Sequence, residues 1–423
     1  MKYLLAAGIS LASMSLFAPV YADGFDPAQV KGKITFYTHW SNFLTSGLFD
    51  KWKAEFKALY PAVEDVDVEA IATYEDTIAT RLSTGDYGDV LDTPRAVPKD
   101  QLADFFLPLD GLNLAKDFYF ADTWAQDGKL YAFTYGVSVE GMAYNKATFA
   151  KAGIASVPKT YTELLADMHK LKDAGIIPVV LNMGDGWPLE TTDGLALDFS
   201  GVANFRDNML KDPAPFSADK PYGKAFAIVH QWIKDGLTEP DLTTSHWEDS
   251  KGWMASGKGA MWFLGSWSIN QIITDGSSKA GIKDYDPKNV GYFPLPYDDT
   301  GGPYNVTSGP DYGVSVAKNS KNPATAEAWL QFLLTKSNLS QGAGFIPGYK
   351  KLPPTLIQMS EFQNFKPKII ERNPGSSTYV NAVNLTNFSG GKGAQKLMLA
   401  SDYKAAIDKL NKDWADAVAR GKN

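Results

Sequence analysis

The order of apolar and polar positions cuts the chain into alternating strands and helices. Residues 34–39 (ITFYTH) form a β-branched and aromatic run of strand length. Leu48, Trp52, Phe56 and Leu59 then recur at helical spacing until Pro61 stops the helix. Over 66–72, Val66 and Val68 alternate with Asp67 and Glu69, which predicts a half-buried strand. A helix over 74–82 and a short strand over 89–92 follow. This β-α-β-α-β order predicts an α/β fold whose mixed, mostly parallel sheet carries helices on its faces.

The same rhythm continues downstream. Residues 129–146 are strand-like and rich in aromatics. Thr160 and Glu163 have capping-box spacing, Leu164, Leu165, Met168 and Leu171 make the apolar stripe of the helix, and Gly175 closes it. A strand is expected at 178–182, and a helix at 222–234 through Phe226, Val229 and Ile233, ended by Gly236. Strands are expected at 260–264, 290–293 and 312–317, and helices at 324–336 and 403–414. Trp52, Trp232, Trp329 and Trp414 fall on apolar helix stripes and are expected in the core, as are Trp253 and Trp262. Trp267 stands out. In GAMWFLGSWS (259–268) it follows a Gly-Ser turn, where the chain leaves the sheet, so it either caps the core or offers a surface for a flat ligand. The Pro/Gly-rich loops near 294–311 and 342–354 read as hinges or rims.

The first residues change the picture of compartment. Lys2, an apolar run over 4–17 and Val20-Tyr21-Ala22 have the layout of a cleavable export signal, with Asp23 the expected mature start. That run is too short to span a bilayer, and no later stretch of about 18 apolar residues exists. Cysteine is absent, which excludes disulfides, thiolate catalysis and a lipidated N-terminal cysteine. Losing Lys2, the only charge in the signal, takes the formal charge from -7 to -8. An acidic balance argues against nucleic acid and anionic membranes as partners. The 11 Trp and 20 Tyr exceed what a core needs and point to recognition surfaces.

In open α/β sheets the ligand crevice lies beyond the carboxyl ends of the strands. The residues after each predicted strand therefore become ligand-binding candidates. They are His39, Trp40, Asn42 and Phe43, then Tyr74 (with Glu75), then Arg95 (with Thr93 and Pro94). Further along come Asp185 and Trp187 (with Asn182), Gly265, Ser266 and Trp267, and finally Asp311 and Tyr312. The set suits a sugar: a pyranose lays its C–H face on an indole or phenol, and its hydroxyls need Asp, Asn or Arg. Simpler roles stay open at this level. Arg95 has Asp92 within reach, Asp311 could cap a turn, and Trp247 with Glu248 and Asp249 could be a solvated helix start.

Seven segments together resemble the extracellular solute-binding proteins of ABC sugar importers, the group that includes maltose-binding-type receptors. They are RLSTGDYGDVLDTP (81–94), DGKLYAF (127–133), MAYNKATFAKAGI (142–154), VPKTYTELLADMHKLKDAGIIPVVLN (157–182), SGKGAMWFLGSWS (256–268), VGYFPLP (290–296) and SKNPATAEAWLQFLLT (320–335). They run in that family's order, while the chain beyond 350 matches only as generic helices. The resemblance implies a two-lobe periplasmic-binding-protein fold with a ligand cleft between lobes, which close by a hinge motion. The chain is then expected to divide as 1–22 signal, 23–135 first lobe, 136–293 second lobe, 294–335 first lobe again, and 336–423 second lobe. It also implies a monomeric, non-enzymatic periplasmic receptor that hands a sugar to the permease subunits, with no cofactor.

Other classes find less support. Paired carboxylates for a glycosidase can always be found among 48 acidic residues. There is no G-x-S-x-G, the 4 histidines (His39, His169, His230, His246) are scattered, and no P-loop or G-x-G-x-x-G is present. A polyol, glycerol phosphate ester or organic acid remains the main alternative ligand.

Overall fold

A computed structural model describes residues 26–421 apart from 72 and 390. The expected signal segment and its cleavage site lie outside the described residues. Six strands come first: β1 (Gly32–Thr38), β2 (Val63–Ala70), β3 (Val90–Asp92), the β4 (Ala125–Gln126) and β5 (Lys129–Leu130) hairpin, and β6 (Phe133–Thr134). Eight follow: β7 (Gly136–Asn145), β8 (Ile177–Val180), β9 (Gly259–Gly265), β10 (Val290–Phe293), β11 (Asn305–Pro310), β12 (Gly313–Val316), β13 (Ile346–Pro347) and β14 (Lys368–Glu371).

Two sheets result, one for each lobe. The first has the order β2-β1-β3-β12-β6 and the second β14-β11-β7-β9-β8, with β10 and β13 also on β7. Both are mixed. β1 pairs in parallel with β2 and β3, β11 with β14, and β8 with β9, whereas β12 is antiparallel to β3 and β6, and all four neighbours of β7 run antiparallel to it. The chain passes between lobes at Tyr135–Gly136, where β6 ends in one sheet and β7 begins the other. Its return differs from the expected division. β11 pairs with β7 and β14, so 305–310 belongs to the second sheet and the return falls at Asp311 rather than near 293–296. The backbone pairing of β7 decides this, not the apolar pattern. Leu339, Ala343 and Phe345 likewise stay in the first lobe's core, beyond the expected last crossing near 335–338.

The local signals work as read. The helix Leu48–Leu59 buries Phe49, Trp52 and Phe56 on one side, and Trp52 donates its indole N–H to Asn338 at 3.0 Å. In Tyr161–Asp173 the Thr160 hydroxyl accepts the Glu163 N–H at 3.1 Å, while the Glu163 carboxylate accepts from Lys159 N, one residue before the cap. Trp52, Trp232, Trp262, Trp329 and Trp414 are all fully buried. No helix among the described residues is long and apolar enough to cross a membrane.

Candidate functional site

The first lobe contributes a polar wall organised by a carboxylate with no exposed surface. Asp92 ends β3 and accepts from Thr38 Oγ1 at 2.9 Å, His39 N at 2.8 Å, His39 Nδ1 at 2.5 Å and the Tyr135 hydroxyl. Its backbone carbonyl accepts the Tyr74 hydroxyl. A buried carboxylate is tolerated only when donors surround it, and four do here. Since a carboxylate accepts, His39 donates through Nδ1, and its ring is fixed between Trp40 (4.3 Å) and Tyr312 (4.4 Å). Tyr74 stands edge-on to both His39 and Tyr312. Burial raises the pKa of the Tyr74, Tyr135 and Tyr312 phenols, so all three stay protonated donors.

Arg95 lies on this wall with its guanidinium carbon 4.4 Å over the Tyr312 ring. It does not pair with Asp92, whose oxygens are occupied. Its backbone N–H donates to Glu75 at 3.2 Å, and Nη1 reaches Glu190 of the second lobe at 3.4 Å. Asp311 holds the crossing through its N–H to the Gly136 carbonyl at 2.9 Å. Its Oδ2 is buried without a hydrogen-bond partner. Burial pushes the Asp311 carboxyl upward, opposed by His39 and Arg95.

The second lobe contributes an aromatic wall. Trp187 lies 4.7 Å from Trp247 and 5.9 Å from Trp267, with Trp247 and Trp267 6.0 Å apart. Trp187 is 37% exposed, and Trp267 is partly buried and packs against the cores of both lobes. Their placement follows from the sequence around them. A Cβ on Gly265 would stand 2.5 Å from Trp267 Nε1, so only glycine lets the indole fold back over the strand end. A Cβ on Gly184 would strike the Thr244 carbonyl at 1.9 Å. Asp185 beside it accepts from the Ser245 hydroxyl and from His246 N at 3.2 Å, which fastens the Trp187 loop to the start of the Trp247 helix. Below Trp247 lies Trp262, whose indole donates to Asn182 Oδ1 at 2.7 Å.

The structure thus brings together His39, Tyr74, Arg95, Asp311 and Tyr312 on one side and Trp187, Gly265 and Trp267 on the other. Five candidates lie elsewhere or do other work. Trp40 and Phe43 stack at 5.0 Å in the first lobe's core, because the turn after His39 points them inward. Ser266 is buried and bonded to Val139 through both its N–H and its hydroxyl. Asp185 ties loops together rather than facing outward. Asn42 is exposed on the short helix Ser41–Thr45. Trp247, Asp92 and Glu190 were not among the candidates. An indole at a helix start was the available signal for Trp247, whereas nothing local marks Glu190.

The description "Bacterial extracellular solute-binding protein" belongs to the family model that matches residues 44–339. A binding protein of Brucella abortus is 27% identical over 358 residues, covering 81% of this chain and 80% of its own. The sn-glycerol-3-phosphate-binding periplasmic protein of Rhizobium meliloti is 23% identical over 338 residues, covering 76% and 72%. Among solved structures, the binding protein of an ABC transporter from Bifidobacterium animalis subsp. lactis, in complex with mannotriose, superposes with a TM-score of 0.80 at 23% identity, covering 95% and 99%.

Proposed function

The chain belongs to the bacterial extracellular solute-binding protein family, and from that premise we propose that it captures a sugar or short oligosaccharide between its lobes for delivery to an ABC importer's permease. The observation that carries this reading is the wall of Trp187, Trp247 and Trp267, with Trp267 touching both cores. An indole surface suits the C–H face of a pyranose, and His39, Asp311 and the phenols opposite supply partners for hydroxyls. Asp311 Oδ2 is an acceptor ready for a ligand hydroxyl. The mannotriose held by the Bifidobacterium neighbour agrees with this chemistry.

The glycerol phosphate ester bound by the Rhizobium relative is the competing ligand. A phosphate asks for unengaged cations. On the first-lobe wall Arg95 already faces Glu190 and Glu75, with Asp311 beside it. The acidic surroundings favour an uncharged guest. In the family's mode of action the open form takes up the ligand, and closure presents one shape to the permease. The ligand favours closure only by its higher affinity for the closed form. Calorimetry and tryptophan fluorescence against a panel of mono- and oligosaccharides, with sn-glycerol 3-phosphate included, test the proposal. At least one saccharide is expected to bind and to perturb indole emission. Folded protein that takes none of them, or that prefers the phosphate ester, refutes it.

A further inference from the structure

Two cations stand beside the walls just described, and both have carboxylate partners. Lys251, 5.1 Å from the Trp247 ring, is buried and held by Glu248 at 2.8 Å within its own helix. Arg95 differs, because its partner comes from the other lobe. It follows β3, whereas Glu190 ends the short turn Trp187–Glu190 that carries the exposed indole of the second lobe. One turn therefore presents both an aromatic surface and a carboxylate that spans the gap.

We propose that Glu190 is a specificity-determining residue, which draws Arg95 across the cleft so that the guanidinium supports closure over an uncharged ligand and is withheld from an anionic one. The inference rests on the reading of the cleft as the ligand site. The Arg95 guanidinium rests on the Tyr312 ring while its backbone N–H is held by Glu75. The two side chains are 54% and 47% exposed, so the pair forms and breaks in contact with water. An exposed ion pair is worth up to about fivefold in an equilibrium, enough to bias closure and too little to lock it. An anion approaching Arg95 must displace Glu190 while facing Glu75 and Asp311. Neutralising Glu190 leaves a guanidinium without its partner from the second lobe at the mouth of the site.

The test compares wild type with Glu190→Gln, Arg95→Gln and the double variant. Because the chain has no cysteine, thiol labels introduced at exposed Lys51 in the first lobe and Val202 in the second report the interlobe distance without any ligand. Glu190→Gln is expected to enlarge the open population about two- to fivefold and to weaken mannotriose by a similar factor. The same change is expected to strengthen sn-glycerol 3-phosphate about two- to fivefold, a gain that vanishes in the double variant. A phosphate ester bound no more tightly by Glu190→Gln, or a gain that survives loss of Arg95, overturns the proposal. Wild type that binds no saccharide would refute the sugar reading alone, since the distance and phosphate measurements still judge Glu190.

Discussion

The two walls of the cleft are built by different physics. In the first lobe one buried residue, Asp92, gathers the donors: its carboxylate takes Thr38, His39 and, at the crossing, Tyr135, its backbone carbonyl takes Tyr74, and the exposed face of that network is polar. In the second lobe indoles rest on indoles, Trp187 on Trp247 and Trp247 on Trp262, with one hydrogen bond to Asn182 at the base. Hydrogen bonds fix direction, and stacked rings supply area. On the proposed reading, a wall of the first kind would select which hydroxyls fit, while a wall of the second kind would provide most of the burial for a pyranose face. Closure is where the two are added together, and Trp267, in contact with both cores, is the residue at which they meet.

The comparison breaks most visibly at the tryptophans. Trp40 and Trp267 follow similar strand ends and read alike in sequence, yet Trp40 is 8% exposed and encased by Phe43, Tyr135 and Phe345. Trp40→Ala is expected to cost the ligand-free protein about 3–5 kcal/mol, as for large core rings. Trp40→Phe is expected to cost under about 1.5 kcal/mol, because the indole N–H has no partner to lose. Trp267→Ala is expected to behave in the opposite way, with ligand affinity falling tenfold or more and apo stability by no more than about 1–2 kcal/mol. Thermal unfolding beside calorimetry separates the two. Equal loss of apo stability in both alanine variants would make Trp267 a core residue.

That contrast also measures how much was legible. Periodicity located six of the longer helices and most strands, because those positions report their own burial, but it missed the helices Thr191–Ser200, Ser377–Thr386 and Gly391–Met398. The strands β11 (NVTSGP) and β14 (KIIE) were not legible, since one carries Gly and Pro and the other is four residues long. Their pairing with β7 and with each other creates them. At the site, the sequence could mark residues after strand ends, but not which way each side chain turns. The turn at 39–43 sends His39 outward and Trp40 and Phe43 inward. Arg95 had a nearby carboxylate in Asp92, and only tertiary structure shows that carboxylate to be filled from elsewhere.

A smaller effect sharpens the view of the polar wall. Asp92→Asn keeps the shape but puts an amide where four donors converge, so at least one N–H faces another donor. A loss of about 2–3 kcal/mol is expected, together with a loosened His39 ring. Histidine ring resonances in NMR spectra read that directly. An unchanged His39 environment in a variant of full stability would show that Asp92 does not organise this wall.

The smallest expected effect concerns what stands behind the aromatic wall. Glu140 is the cross-strand partner of Gly265, on which Trp267 folds, so its charge state bears on the strand that carries the platform. Here three carboxyls, Glu140, Asp193 and Asp198, share the interior with two guanidiniums, Arg206 on Asp193 and Arg372 on Glu140. Negative charge would exceed positive by one, and burial pushes Glu140 up to about 7 against the pull of Arg372. The unfolded chain ionises this group near 4.3. Between those values the folded chain holds a proton that the unfolded chain has released, so stability falls as pH rises through that window and levels off above it. The fall is expected to show as a gradual drop in melting temperature as pH rises through that window. Glu140→Gln should flatten the slope between pH 5 and 7.5 without abolishing it, because burial shifts Asp198 in the same direction. In the first lobe, by contrast, the Asp92 carboxylate is met by donors from Thr38, His39 and Tyr135 rather than by guanidiniums. A pH slope identical in wild type and Glu140→Gln would remove Glu140 as its source, and with it the view that the two walls differ in how they hold buried charge.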